Sequence, residues 1–436
     1  MSLDWLAHAG RPLAGEIVVP GDKSISHRAI MLAAIADGTS RISGFLEGED
    51  TRATAAIFEQ LGVRIEKPSE SERIVHGVGL HGLQGSSKPL DCGNAGTGMR
   101  LLTGLLAGQA FASTLVGDES LSKRPMRRVI DPLAAMGARI EAREGGLPPL
   151  IIHINNSLQA IDYELPVASA QVKSALLLAG LYAQGETVVR EPHPTRDYTE
   201  RMLAAFAWPI VFEPGVARLS GGHRLRAADI QVPADFSSAA FFIVAASLVP
   251  GSDLLLKSVG INPRRTGLLQ ALRLMGANIS EEKPRLQGGE MVADLRVRAA
   301  RLRGIAVPEA LVPDMIDEIP ALFVAAALAE GSTTVSGAAE LRVKESDRIA
   351  VMTRALRSLG AAIEGRPDGA VIAGGRLHHG EVDSDGDHRI AMSLAIAAQR
   401  VAGEVRIRDC ANVATSFPGF VGLANSVGFE LAEIAD

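Results

Sequence analysis

Residues 21–44 read GDKSISHRAIMLAAIADGTSRISG: a charged and hydroxyl-rich opening, an apolar run of helical period, then a short β-branched strand bounded by Gly. The same phrase returns at residues 93–108 (GNAGTGMRLLTGLLAG), 167–189 (VASAQVKSALLLAGLYAQGETVV) and 234–256 (ADFSSAAFFIVAASLVPGSDLLL). It returns again at 316–337 (IDEIPALFVAAALAEGSTTVSG) and 385–407 (DGDHRIAMSLAIAAQRVAGEVRI). The period, roughly 70 residues, is too long for a solenoid unit and suits a repeated supersecondary module. A second phrase alternates with the first, from Ala53 (ATAAIFEQLGVRIE), Asp131 (DPLAAMGARIE), Arg201 (RMLAAFAWPIVFE), Leu268 (LLQALRLMGANIS), Thr353 (TRALRSLGAAIEG) and Val421 (VGLANSVGFELAE). Each repeat therefore carries two helices.

Strands are expected at Glu16 to Val19, Thr39 to Ile42, Thr187 to Val189, Leu254 to Leu256, Thr333 to Val335 and Glu404 to Ile407. Their alternation with two helices per repeat predicts an α/β protein with sheets outside and the apolar first-phrase helices inside. Six repeats divide into three and three. The parallel between Val19-Pro20-Gly21-Asp22-Lys23-Ser24 and Val232-Pro233-Ala234-Asp235-Phe236-Ser237 places the seam. One domain spans 21–234; the other combines 1–20 with 235–436, and a two-strand hinge near 20 and 234 lets the halves close on a ligand.

The unusual residues gather where the first-phrase helices open: Lys23, Ser24, Arg28, Asn94, Arg100, Ser169, Gln171, Lys173, Asp235, Asp317, Glu318, Asp387, His388 and Arg389. A helix start presents unpaired N–H groups and the positive end of the macrodipole, so several starts aimed together form an anion site. In GDKS, Asp22 separates Gly21 from Lys23 and the upstream Gly of a P-loop is missing, which disfavours nucleotide binding. In GNAGTGMR three glycines let backbone approach a ligand closely. The basic burst Lys123-Arg124-Pro125-Met126-Arg127-Arg128 follows, and Arg124 offers a planar fork for carboxylate or phosphate. In Leu341-Arg342-Val343-Lys344-Glu345-Ser346-Asp347-Arg348, Lys344 and Arg348 fall four apart and would share a face on a helix start, with Glu345 turned the same way.

Composition bounds the rest. With 436 residues, 47% hydrophobic and 22% charged, the chain is of ordinary globular type. A net charge of −6 and 4% aromatic content argue against a nucleic-acid partner. Two cysteines, Cys92 and Cys410, suit a reducing compartment. The start MSLDWLAHAGRPLAG lacks a signal-peptide pattern, and Ala239 to Val249 is too short to span a bilayer, so a cytoplasmic protein with no membrane partner is expected. His27, His388 and His378-His379 lack metal-ligand spacing, so neither a metal nor a cofactor is expected.

GDKSISHR, GNAGTGMR, RPM, SAQVKSALLLAG, TRDYTE, IDEIP, LRVKESDR and DHRIAM occur in the order found in the 5-enolpyruvylshikimate-3-phosphate synthase family, which the chain resembles over essentially its whole length. That resemblance implies a two-domain enolpyruvyl transferase fold, each domain three βαβαββ-type units; a monomer is expected. It implies transfer of the enolpyruvyl group of phosphoenolpyruvate to the 5-hydroxyl of shikimate 3-phosphate, and glyphosate as an inhibitor. Lys23, Ser24, Arg28, Ser169, Gln171, Arg196, Asp317 and Lys344 match positions that hold shikimate 3-phosphate. Lys23, Gly96, Arg124, Gln171, Arg348 and Arg389 match those around phosphoenolpyruvate. Asp317, Glu345, Lys23 and Lys344 take the catalytic positions: Asp317 for the hydroxyl proton, Glu345 for the methylene, the lysines for departing phosphate.

Ala170 stands where many relatives have Ser, and TRDYTE with Arg196 replaces a Ser-based contact, which resembles the second class of the family. No Lys lies between Asp409 and Pro418, so Arg389 would hold more of the phosphoenolpyruvate carboxylate. The related transferase acting on UDP-N-acetylglucosamine normally carries a Cys in the loop matching Gly117 to Met126; this chain has none there.

Overall fold

A computed structural model describes residues 3–155 and 157–435. The chain separates into two compact units, one of residues 1–20, 233–286 and 290–436, the other of 21–232 with 287–289. Each has its own hydrophobic core.

The first-phrase helices are α1 (Lys23–Ala34), α3 (Gly96–Ala107) and α5 (Ala170–Gly180) in the 21–232 unit. In the other unit they are α7 (Phe236–Leu248), α9 (Ile319–Ala327) and α11 (His388–Ala398). All six are buried along nearly their whole length, and every residue of α7 is buried. A helix apolar all round belongs inside a core. Close approach is built in: a Cβ on Gly104 of α3 would lie 2.1 Å from the Ala175 carbonyl oxygen of α5, so only Gly permits that crossing.

The second-phrase helices are α2 (Glu49–Gln60), α4 (Arg127–Ala135) and α6 (Tyr198–Ala205), then α8 (Gly267–Leu274), α10 (Arg348–Ser358) and α12 (Phe420–Val427). Each has one buried and one exposed face, as amphipathic outer helices do.

Among the described residues, six small sheets match the six repeats. In the 21–232 unit each pairs a short parallel edge with an antiparallel run, as where 90–91 lies parallel to 113–116, which then pairs antiparallel with 147–152. The sheets of 37–43 and 186–190 repeat this order. In the other unit the N-terminal segment completes two sheets. Leu3–His8 is antiparallel to both 402–408 and 430–435, and Ala14–Ile17 runs parallel to 253–260. In the fifth repeat the parallel edge shrinks to the isolated bridges Arg303↔Glu330 and Ala306↔Thr334.

Each expected strand is found, with one shift in bounds. The strand expected over Glu16 to Val19 is Ala14–Ile17. It stops where its partner bulges between Leu256 and Val259, which withdraws the ladder from Val18 and Val19.

Candidate active site

The opening of α1 is capped by Asp22, whose Oδ1 accepts the Ile25 N–H at 2.9 Å. Lys23 Nζ donates to Asp50 Oδ2 of α2 at 2.9 Å. Arg28, one turn on, is buried: Nε donates to Thr199 Oγ1 (2.7 Å), Nη1 to the Ser24 carbonyl (2.9 Å) and Nη2 to Ser174 Oγ (2.8 Å). Burial pulls its pKa down to about 10, against the opposing pull of Glu200 and Asp22. Through Arg28 those bonds tie the Ser24 carbonyl to Ser174 of α5 and to the opening of α6. Arg196, half-buried, precedes α6 and is near enough to Arg28 to oppose its charge.

The opening of α3 has no side-chain cap. There Gln171 of α5 accepts from Arg100 Nη1 at 3.0 Å and donates to Thr97 Oγ1 at 2.9 Å. Arg124 is buried and its Nη2 donates to Asn94 Oδ1 (2.8 Å) and Ser120 Oγ (3.0 Å). The guanidinium groups of Arg100 and Arg124 flank Gly96, where a Cβ would lie 3.1 Å from an Nη1 of each. Lys123, by contrast, is exposed and pairs with Glu119, and Arg127 and Arg128 are exposed on α4. Ser169 caps α5, accepting from Val172 N–H.

Lys173 belongs to the core. It is 3% exposed and paired with Glu191 at 2.7 Å and Glu200 at 2.8 Å. One turn past Ser169, its position on α5 turns it toward α6 instead of the helix mouth.

In the other unit Asp317 is the centre of a charge network. Lys344 Nζ lies 3.6 Å, and Arg348 Nη1 3.5 Å, from its Oδ1, while Arg265 Nη1 lies 3.5 Å from its Oδ2. The Asp317 carbonyl accepts from Arg389 Nη1 at 3.2 Å, and Glu318 lies 3.7 Å from the same guanidinium. Arg348, 1% exposed, bonds Asp387 (2.8 Å) and Glu345 (2.6 Å). Burial alone would lower its pKa, but the carboxylates of Asp387, Glu345 and Asp317 raise it above the ordinary guanidinium value. Asp387 also caps α11, accepting the Arg389 N–H at 2.9 Å.

Lys344 and Arg348 do not share a helical face. Asp347 caps α10 by accepting from Ala350 N–H, so the helix starts at Arg348 and Lys344 ends a 3₁₀ turn over Ala339–Val343. Asp317 supplies the meeting point that helix periodicity was expected to supply. Among the described residues no group of three or more His, Cys, Asp or Glu is arranged to hold a metal.

Two members escaped the sequence reading. Arg265 is 3% exposed and faces Asp235, Asp317 and Glu318. Its signal was present: Arg264-Arg265 stands just before α8 as Arg348 opens α10. Asp50, the partner of Lys23, sits in the first turn of α2, where an acidic residue reads as ordinary dipole compensation.

The family model for EPSP synthase (3-phosphoshikimate 1-carboxyvinyltransferase) matches residues 7–423. A 3-phosphoshikimate 1-carboxyvinyltransferase of Xanthomonas campestris pv. campestris (strain B100) is 69% identical over 428 residues, 98% of each chain. That of Xanthomonas euvesicatoria pv. vesicatoria is 69% identical over 427 residues, covering 98% of this chain and 97% of the relative. Among solved structures, an EPSP synthase from Acinetobacter baumannii superposes with a TM-score of 0.90 at 49% identity, covering both chains entirely. The enolpyruvyl transferase NikO from Streptomyces tendae, 16% identical with a TM-score of 0.81, shares the fold. With its motifs, its six-repeat architecture and these relatives in agreement, the chain belongs to the EPSP synthase family.

Proposed function

We propose that this protein transfers the enolpyruvyl group of phosphoenolpyruvate to the 5-hydroxyl of shikimate 3-phosphate, releasing phosphate in the shikimate pathway of aromatic amino-acid biosynthesis. The observation that carries the reading is the opening of α3: an uncapped helix start, a glycine without a side chain, and two arginines converging on it. Uncapped N–H groups with two guanidinium forks suit a phosphate or carboxylate.

Gly96, Arg124 and Gln171, with Lys23, Arg348 and Arg389, hold phosphoenolpyruvate. Lys23, Ser24, Arg28, Ser169, Gln171, Arg196, Asp317 and Lys344 hold shikimate 3-phosphate. Both substrates are polyanions, and their mutual repulsion is offset by these cations. Asp317 takes the hydroxyl proton as the oxygen attacks the carbon bearing phosphate. Glu345 delivers a proton to the methylene, and Lys23 and Lys344 stabilise the charge on departing phosphate. The Arg196-bearing loop supports placement in the second class of the family.

Phosphate release from phosphoenolpyruvate tests the reading. Turnover with shikimate 3-phosphate and none with UDP-N-acetylglucosamine is expected; the reverse would overturn it. The thiols argue for the same side. Cys92 and Cys410 are buried, and burial with nearby carboxylates raises both pKa values well above the ordinary thiol range, so neither is a ready nucleophile. No helix among the described residues is long and apolar enough to cross a membrane, and we place the protein in the cytoplasm as a monomer. Light scattering on the eluted protein would correct the oligomeric state.

A further inference from the structure

Arg196 stands on a loop of seven residues, Glu191-Pro192-His193-Pro194-Thr195-Arg196-Asp197, between the strand Glu186–Arg190 and α6. Pro192 and Pro194 each fix φ, which stiffens the loop but does not decide where it points. Glu191 supplies the direction. Its side chain is 0% exposed, and its carboxylate accepts from the Thr195 N–H at 3.2 Å and from the Thr195 hydroxyl. The loop is thereby closed onto the residue next to Arg196.

Glu191 is itself held. Lys173 of α5 donates to it at 2.7 Å and pairs with Glu200, in the first turn of α6, at 2.8 Å. One buried ammonium thus ties both ends of the loop to α5, the helix whose opening carries Ser169 and Gln171. Burial alone would lower the Lys173 pKa, but Glu200 and Glu191 raise it above the ordinary lysine value, so the clamp stays charged. Arg196 needs such a clamp because it lies near enough to Arg28 to oppose its charge. Two like charges drift apart unless the backbone beneath them is fixed, and an anion gains from both only while they are held close. Arg28 is fixed by its bonds to Thr199, Ser174 and the Ser24 carbonyl.

We propose that Glu191, paired with Lys173, is a positioning residue for shikimate 3-phosphate: it fixes Thr195 and so the direction in which Arg196 is presented. The inference deepens the proposed function and rests on Arg196 as a contact to that substrate.

Steady-state kinetics of the full chain, read by phosphate release, test it in wild type, Glu191→Gln, Thr195→Val, Thr195→Ser, Arg196→Ala and Glu191→Gln/Arg196→Ala. The KM for shikimate 3-phosphate is expected to rise about fivefold or more in Glu191→Gln and about threefold in Thr195→Val, while kcat and the KM for phosphoenolpyruvate stay within about twofold of wild type. Thr195→Ser returns the hydroxyl and restores the wild-type KM. In Arg196→Ala the same KM rises about tenfold or more, and adding Glu191→Gln changes it by less than about twofold, because the carboxylate acts only through that arginine. Glu191→Gln still leaves Lys173 paired with Glu200, and Thr195→Val keeps the shape of the side chain, so either variant decides the question if the other does not fold. An unchanged KM for shikimate 3-phosphate in whichever of the two folds, a fall in kcat without a rise in that KM, or rises that multiply in the double variant would overturn the inference and leave Arg196 as a contact. A wild-type KM in Arg196→Ala would overturn the inference together with that contact, and a wild-type enzyme without turnover of shikimate 3-phosphate would overturn it together with the proposed function.

Discussion

His27 shows how a single residue carries more than its motif suggests. It lies in GDKSISHR, yet it is fully buried, with Nδ1 2.8 Å from Thr54 Oγ1 of α2. Burial, then the charges of Lys23 and Arg28, push its pKa down to about 3 from an ordinary 6.5. The unfolded chain therefore binds the extra proton between those values and the folded chain does not. Its contribution to stability is complete above pH 6.5 and is lost as pH falls toward 3, at up to about 1.4 kcal/mol per pH unit. Urea unfolding between pH 7.5 and 5 should show a shallower pH slope in His27→Gln than in wild type; equal slopes would remove His27 from the acid response. For the reaction, Asp317→Ala should lose about 10²-fold or more in turnover while still binding shikimate 3-phosphate, and near-normal turnover would take Asp317 out of the mechanism. Arg124→Ala should weaken phosphoenolpyruvate by about 2–5 kcal/mol in titration. In Gly96→Ala the new methyl presses on both flanking guanidinium groups, so the inhibition constant for glyphosate should rise; unchanged potency would place the inhibitor elsewhere.

At the scale of elements, repetition of Asp at helix openings is the organising device. Asp22, Asp235, Asp347 and Asp387 each cap a helix and accept a backbone N–H within three residues. Asp387 does more, because it is 0% exposed and its carboxylate also accepts from Arg348. Asp387→Ala removes the cap of α11 and leaves a buried guanidinium short of its partner. A loss of about 3–5 kcal/mol in denaturant unfolding is expected. A loss below about 1 kcal/mol would mean that the pair is solvated. The helices and most strands were readable because their apolar periods and Gly boundaries are local properties of the chain. The start of α10 was misread for the opposite reason. Lys344 and Arg348 fit a helical spacing, but the capping carboxylate of Asp347 fixes the first turn after Lys344.

At the scale of the whole molecule, each unit holds a separate core of first-phrase helices. Residues 21–232 form one uninterrupted stretch with a complete core and three sheets, so that stretch expressed alone should fold cooperatively. It should be without turnover, since Asp317, Lys344, Glu345 and Arg348 lie outside it. Circular dichroism and thermal unfolding check the first expectation; a featureless spectrum would show that this core depends on the rest of the chain. The six-fold phrase, the α/β class and the polar openings of the first-phrase helices were determined by sequence alone, because capping, periodicity and glycine freedom act within a few residues. Which charges converge was decided only by the tertiary structure. Arg265 joins Asp317, Lys173 is drawn into a core pair with Glu191 and Glu200, and Asp50 receives Lys23. Coulomb energy depends on separation in space, and residues 52 positions apart, as Arg265 and Asp317 are, acquire that separation only when the helices pack.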